Sequence, residues 1–191
     1  MDYVALLRGI NLGGHHSLPM ATLRETLEAA GCADVRTYIQ SGNAVFRHDE
    51  EDEARLRELL EAAIGDTGGF AVPVMLRTAD EWASTVAANP YAAGVPSGGG
   101  VPSGGGAADP KALHVVFLSA APSAGVLDAL DLGRFAPEEL TSIGRELHLW
   151  LPGGMGRSKL AAELTDRKLG AVATARNWNT VKKLEAMLAD G

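Results

Sequence analysis

Val35-Arg-Thr-Tyr-Ile-Gln-Ser-Gly-Asn-Ala-Val-Phe46 reads as two short strands, residues 35–39 and 44–46, joined by a hairpin turn at Gln40-Ser-Gly-Asn43. β-branched and aromatic residues stand on either side of a run of turn formers. Outward from this hairpin the chain falls into alternating elements. Before it come an apolar strand, Tyr3-Val-Ala-Leu-Leu7, a polar glycine-rich loop, Arg8-Gly-Ile-Asn-Leu-Gly-Gly14, and a helix that Pro19 opens. That helix has apolar residues at Met20, Leu23, Leu27 and Ala30, three and four apart, and Gly31 supplies its left-handed stop. After the hairpin, Leu56, Leu59, Leu60, Ala63 and Ile64 mark a second helix and residues 70–76 a strand. The order is strand, helix, strand, strand, helix, strand.

Thr78-Ala-Asp-Glu81 is a capping box, in which the threonine hydroxyl accepts the N–H of Glu81 while the glutamate reaches back to the N–H of Thr78. A helix therefore starts at Thr78, carries Trp82 and Val86 on one face, and ends before Pro90. Residues 91–110 are rich in glycine, serine and proline and contain Val-Pro-Ser-Gly-Gly-Gly twice in tandem, at 95–100 and 101–106. This composition predicts a flexible linker without chemistry.

Beyond it the same order returns: a strand at 113–118, a short helix at 124–130, strands at 140–143 and 146–151 turning at Gly144-Arg145, a helix at 158–169, and a small strand around Val172. A closing helix runs to Leu188. The fold class expected is α+β: two tandem split β-α-β units of ferredoxin-like type, each followed by an extra helix, packed as one compact protein. The first would cover residues 1–90, the linker 91–110 and the second 111–191. Thr78-Ala-Asp-Glu-Trp82 and Thr174-Ala-Arg-Asn-Trp178 share three residues at one spacing, which suggests that Thr174 caps the last helix as Thr78 caps its counterpart.

The formal charge of −7 disfavours a general phosphate-backbone binder, whose affinity comes from accumulated Lys and Arg. Much of the acid lies in Asp49-Glu-Glu-Asp-Glu53, ahead of a helix, where carboxylates suit the helix dipole. No apolar run approaches the roughly 20 residues of a membrane span, and the Met1 end reads straight into a strand, so the expected location is cytoplasmic. Cys32 is the single cysteine, which excludes intramolecular disulfides and cysteine-based metal sites.

The split β-α-β topology brings the loops after the first and second strands to one end of the first unit, and those after the third and fourth strands to one end of the second, and two polar clusters result. One joins Gly153, Gly154 and Gly156 with Arg157, Ser158 and Lys159 at one helix start, and with Arg176, Asn177 and Asn179 near another. Glycines that admit close backbone approach, free helical N–H groups and basic side chains are the elements of an anion pocket. The order Gly156-Arg-Ser-Lys159 is not that of a P-loop. The other cluster, Arg8, Asn11, Gln40, Ser41 and Asn43, forms a second candidate site. The bland alternative for both is turn glycines, solvated bases and amides that cap helices.

His15-His16 lacks companions that would complete a metal set, since adjacent side chains diverge and no Cys, Asp or Glu is near. No metal is assigned. Ser41 and Ser158 have no histidine at readable spacing, His114 and His148 fall within strand patterns, and no cofactor fingerprint is present. No reaction can be named.

Ala5-Leu-Leu-Arg-Gly-Ile-Asn-Leu-Gly-Gly14, Pro19-Met20, Val35 to Asn43 with Val45-Phe46, Gly156-Arg-Ser-Lys-Leu160, and Ala173 to Val181 with Lys183-Leu184 together resemble the family called domain of unknown function 1697, over nearly the whole chain. The glycine-serine-proline repeat and His15-His16 depart from its pattern. The resemblance implies membership without an activity, so it carries no catalytic residue over.

The leading expectation is a protein that binds a small anionic, phosphate- or carboxylate-bearing ligand through Gly156, Arg157, Ser158, Lys159, Arg176, Asn177 and Asn179. Two others stand beside it: RNA or single-stranded nucleic acid on a ferredoxin-like sheet, for which Phe46 and Trp150 are the available aromatics, and a protein-interaction module without a small ligand.

Overall fold

A computed structural model describes residues 1–13, 15–93, 109–123 and 125–190; the tandem hexapeptide lies outside them. The chain divides into two compact units, Met1–Ser84 with Lys183–Gly191, and Thr85–Lys182. Each holds one four-stranded antiparallel sheet, and the architecture is α+β.

In the first unit the elements are β1 (Asp2–Leu7), α1 (Met20–Ala29), β2 (Ala33–Tyr38), β3 (Asn43–Arg47), α2 (Glu53–Gly68) and β4 (Val74–Thr78), followed by α3 (Ala79–Ala87), and the strand order is β2-β3-β1-β4. Local chemistry sets most of these ends. The carbonyl of Pro19 accepts the Leu23 N–H at 2.9 Å to open α1. Asp52, from the acidic run, caps α2 by accepting the N–H groups of Ala54 and Arg55, and Gly69 at φ 73° ends it. The capping box at α3 forms as expected, with Thr78 N–H to Glu81 at 2.9 Å and Glu81 N–H to Thr78 Oγ1 at 3.2 Å. Strand β4 begins at Val74, later than the 70–76 pattern suggests, because Pro73 has no N–H to give to the ladder.

One face of this sheet carries Tyr3, Ala5, Leu7, Phe46 and Leu76 in a core with Leu23, Leu27, Leu56, Leu60 and Ile64 of α1 and α2. Burying each such leucine contributes roughly 1.5–3 kcal/mol. Tyr3 and Phe46, cross-strand partners, stack with ring centroids 5.8 Å apart. The opposite face is buried too, through Val4, Leu6, Val45 and Arg77.

The second unit has β5 (Leu113–Leu118), a 3-10 helix (Leu132–Phe135), β6 (Glu139–Ile143), β7 (Glu146–Trp150), a second 3-10 turn (Met155–Arg157), α4 (Lys159–Glu163), α5 (Asp166–Leu169) and β8 (Ala173–Asn177). The order β6-β7-β5-β8 repeats that of the first sheet. α6 (Trp178–Ala189) follows β8.

Three expectations are corrected here. Residues 125–130 form turns and no helix; Gly125 sits at φ 84°, and so short a segment does not repay helix nucleation. The helix expected at 158–169 is broken in two, because Thr165 adopts an extended conformation and caps α5 with its own hydroxyl. Thr174 is in β8 and does not cap α6; Asn177 does, accepting the Thr180 N–H at 2.8 Å.

Among the described residues no helix is long and apolar enough to cross a membrane.

Candidate functional site

The second-unit cluster begins with Ser158. Its Oγ accepts the Ala161 N–H at 2.8 Å, capping α4, and its hydroxyl donates to Glu138 Oε2 at 3.0 Å. The same Glu138 oxygen accepts the Leu160 N–H at 2.9 Å. An anion therefore already stands at this helix start, and it is the protein's own carboxylate. Arg157, Lys159 and Gly156 are exposed, and neither Arg157 nor Lys159 forms an ion pair among the described residues.

Arg176 is elsewhere. Along β8 it pairs with Val115, while Val116, Leu118, Leu147 and Leu149 form the face that packs with Leu160 of α4. Alternation along a strand puts the Arg176 side chain on the opposite face of the sheet from α4. There it is 7% exposed and donates to Thr174 Oγ1 at 2.7 Å and to the Ala175 carbonyl at 2.8 Å. Burial pulls its pKa down to about 10, which leaves it charged at neutral pH. Asn177 is the α6 cap, and Asn179 is exposed in the first turn of that helix. Gly156–Lys159 and Arg176 thus share an end of the sheet but not a face.

The register corrects a second inference. In the first sheet Arg77 pairs with Val4, and in the second Arg176 pairs with Val115; each arginine directly precedes a helix cap, Thr78 or Asn177. Arg77 is buried and also donates to the carbonyl of the residue before it, Leu76, at 2.6 Å. An arginine at this register position therefore recurs in both sheets, and the Thr-Ala-x-x-Trp echo is three residues out of structural register.

The first-unit cluster is built differently. Asn11 donates through Nδ2 to the carbonyls of Leu18, at 2.9 Å, and Gln40, at 2.8 Å, and its Oδ1 accepts the Leu18 N–H at 2.8 Å. One side chain thus ties the loop after β1 to the turn after β2. The Leu7 N–H donates to the Gly42 carbonyl at 2.8 Å, and a Cβ on Gly42 would fall 2.7 Å from Leu7 Cβ and 2.8 Å from Ile10 Cδ1. Asn43 is buried and donates to the Tyr38 carbonyl and Ser41 Oγ. Arg8 is half-buried, and its N–H donates to the Pro73 carbonyl. Gln40 and Ser41 are exposed.

This end also concentrates backbone strain. Asn11, His16 and Ile39 have φ of 55°, 53° and 50°, and Asp34 is the other described non-glycine residue with positive φ. A β-branched residue in that region is an outlier costing on the order of 1–2 kcal/mol. Ile39 is nonetheless 48% exposed, and Leu12 65%. His16 stacks on Phe70 with centroids 4.5 Å apart. Among the described residues no three His, Cys, Asp or Glu side chains are placed to hold a metal ion.

The two aromatics expected to serve for nucleic-acid stacking are buried, Phe46 at 2% and Trp150 at 7% exposed, while Tyr38 of β2 is half-buried.

Sequence reasoning missed Glu138, which lies 20 positions from Ser158 and has no local signature. His148 is in a strand as expected, and what the sequence did not show is that it is fully buried with both ring nitrogens unpartnered among the described residues.

The model of a family described as "Protein of unknown function (DUF1697)" matches residues 1–148. Among solved structures, the conserved bacterial protein SP0830 from Streptococcus pneumoniae is similar with a TM-score of 0.69 and 21% identity, over 98% of each chain. That likeness shows the fold alone. No curated protein matches.

Proposed function

The chain belongs to the DUF1697 family of proteins of unknown function, and we propose that it binds a small organic anion with an apolar portion at the loop end of its first unit. What carries the reading is the left-handed pair Asn11 and Ile39, with the Asn11 amide donating to the carbonyl of Gln40, the residue after Ile39. Strain of this kind persists only where the surroundings over-determine it, and it gathers at ligand sites. Charge supports an anion: in a protein of net charge −7, residues 8–19, 38–43 and 69–73 contain no carboxylate and include Arg8, His15 and His16. Exposed Leu12 and Ile39 supply the apolar contact. Arg8 would meet the anionic group, with Gln40 and Ser41 as hydrogen-bonding neighbours.

Calorimetry of the full chain against octanoate, phenyl phosphate and the neutral octanamide tests this. At least one anion is expected to bind, octanamide more weakly, and Arg8→Met to lower the affinity about tenfold, or about 1.4 kcal/mol. If no anion binds at millimolar concentration, or Arg8→Met binds as wild type does, the proposal fails.

Arg157 and Lys159, exposed beside Gly156, are proposed as a subsidiary anion contact. Ser158, Arg176 and Asn177 would support it structurally without touching the ligand. The matching strand orders and the Arg77/Arg176 register further support reading residues 1–90 and 111–191 as tandem ferredoxin-like copies, the second having lost its first helix.

A further inference from the structure

We propose that the groove beside β6 in the second unit binds a small organic cation, an amine or guanidinium on a short apolar stem. The groove holds about 340 Å³ and is lined by Tyr91, Leu132, Pro137, Glu138, Glu139 and Thr141 among others. That volume lies in the range of small-ligand sites and far exceeds what one or two waters fill. Its charged lining residues are the two carboxylates, and no lining residue is a cation.

The two carboxylates differ. Glu138 is held by Ser158 and the Leu160 N–H. The Glu139 side chain has no hydrogen bond or ion pair among the described residues, although it is half-buried and burial raises its pKa. A carboxylate that has lost water without gaining a partner favours a cation beside it. An anion would meet two like charges there, and a neutral ligand would leave Glu139 as it is. Leu132 and Pro137 provide apolar wall for a stem. The Tyr91 and Thr141 hydroxyls, hydrogen-bonded to each other at 2.8 Å, add a polar stretch to the same wall.

The test titrates the full chain with n-butylguanidinium and, at matched concentration, with uncharged n-butylurea, following heteronuclear NMR shifts. Saturable binding of n-butylguanidinium is expected, with the largest shifts at Tyr91, Leu132 and residues 137–141, and n-butylurea about tenfold weaker. Glu139→Gln, a near-isosteric change at an edge-strand position, is expected to lower the affinity about tenfold. Leu132→Glu, at an exposed wall position, is expected to raise it about threefold. Equal binding of n-butylurea, absence of saturation, or an affinity that neither variant alters overturns the proposal. The first-unit anion site is read with different probes, so the two proposals fail separately.

Discussion

Glu138 Oε2 accepts both the Ser158 hydroxyl, at 3.0 Å, and the Leu160 N–H, at 2.9 Å, so the α4 start is filled from within the chain. Glu138→Ala leaves a buried hydroxyl and a buried N–H without this acceptor, and should destabilise the protein by about 1–3 kcal/mol. Glu138→Gln keeps an acceptor and should lose less. Urea unfolding of both variants checks this. Added sulfate should stabilise Glu138→Ala more than wild type, since the helix start is then open to an outside anion.

The α6 cap distinguishes the structural register from the sequence echo. Asn177→Ala should cost about 1 kcal/mol, and Asn177→Asp should cost little, because aspartate caps as well as asparagine. Thr174→Ala acts by a different route, removing the hydroxyl that Arg176 donates to at 2.7 Å. Its cost should vanish when Arg176→Met is already present, whereas that of Asn177→Ala should not. A double-mutant cycle read by urea unfolding separates the two.

These cases show what was legible in the sequence. The Thr78–Glu81 box, the Asp52 cap and the turn at Gly42 were readable because each is satisfied within a few residues. The repeated element order showed the α+β class and two groups of strands, which form the two sheets. The Thr174 assignment failed because three residues at one spacing do not fix register, which depends on pairing with β5. Convergence of Arg176 with Lys159 failed for a related reason: an end of a sheet can be read from topology, but the face on which a side chain stands needs the register. Glu138 and the Asn11–Gln40 link were hidden because they join residues 20 or more positions apart.

Acid should destabilise the second unit through His148. Burial lowers its pKa to about 4, whereas in the unfolded chain the value is about 6.5. As pH falls below about 6.5 the unfolded state takes up the proton first, so stability falls between about pH 6.5 and pH 4 and is unaffected above that window. At pH 5 the loss should be on the order of 2 kcal/mol. His114, its pKa also lowered by burial, adds in the same direction. His148→Val, the residue found at the corresponding register position as Val45, should flatten the pH dependence of urea midpoints across this window. An equally steep dependence in the variant would assign the effect to other groups.

Ile39 offers a test in which stability and binding move in opposite directions. At φ 50° its Cβ is strained, and glycine at the same position is not. Because the side chain is half in solvent, Ile39→Gly removes little buried surface. Relief of about 1–2 kcal/mol of strain, less about 0.5–1 kcal/mol for the greater freedom of glycine when unfolded, should leave a gain of roughly 0.5–1 kcal/mol. If the loop end is a ligand site, the same change removes an apolar contact and loosens the turn that Asn11 holds, so anion affinity should fall while the melting temperature rises. Asn11→Ala should lower both, because it breaks the link to Gln40 and leaves the Leu18 N–H without its acceptor. Affinity that is unchanged in Ile39→Gly, with stability raised, would mean that the strain serves only the local path of the chain.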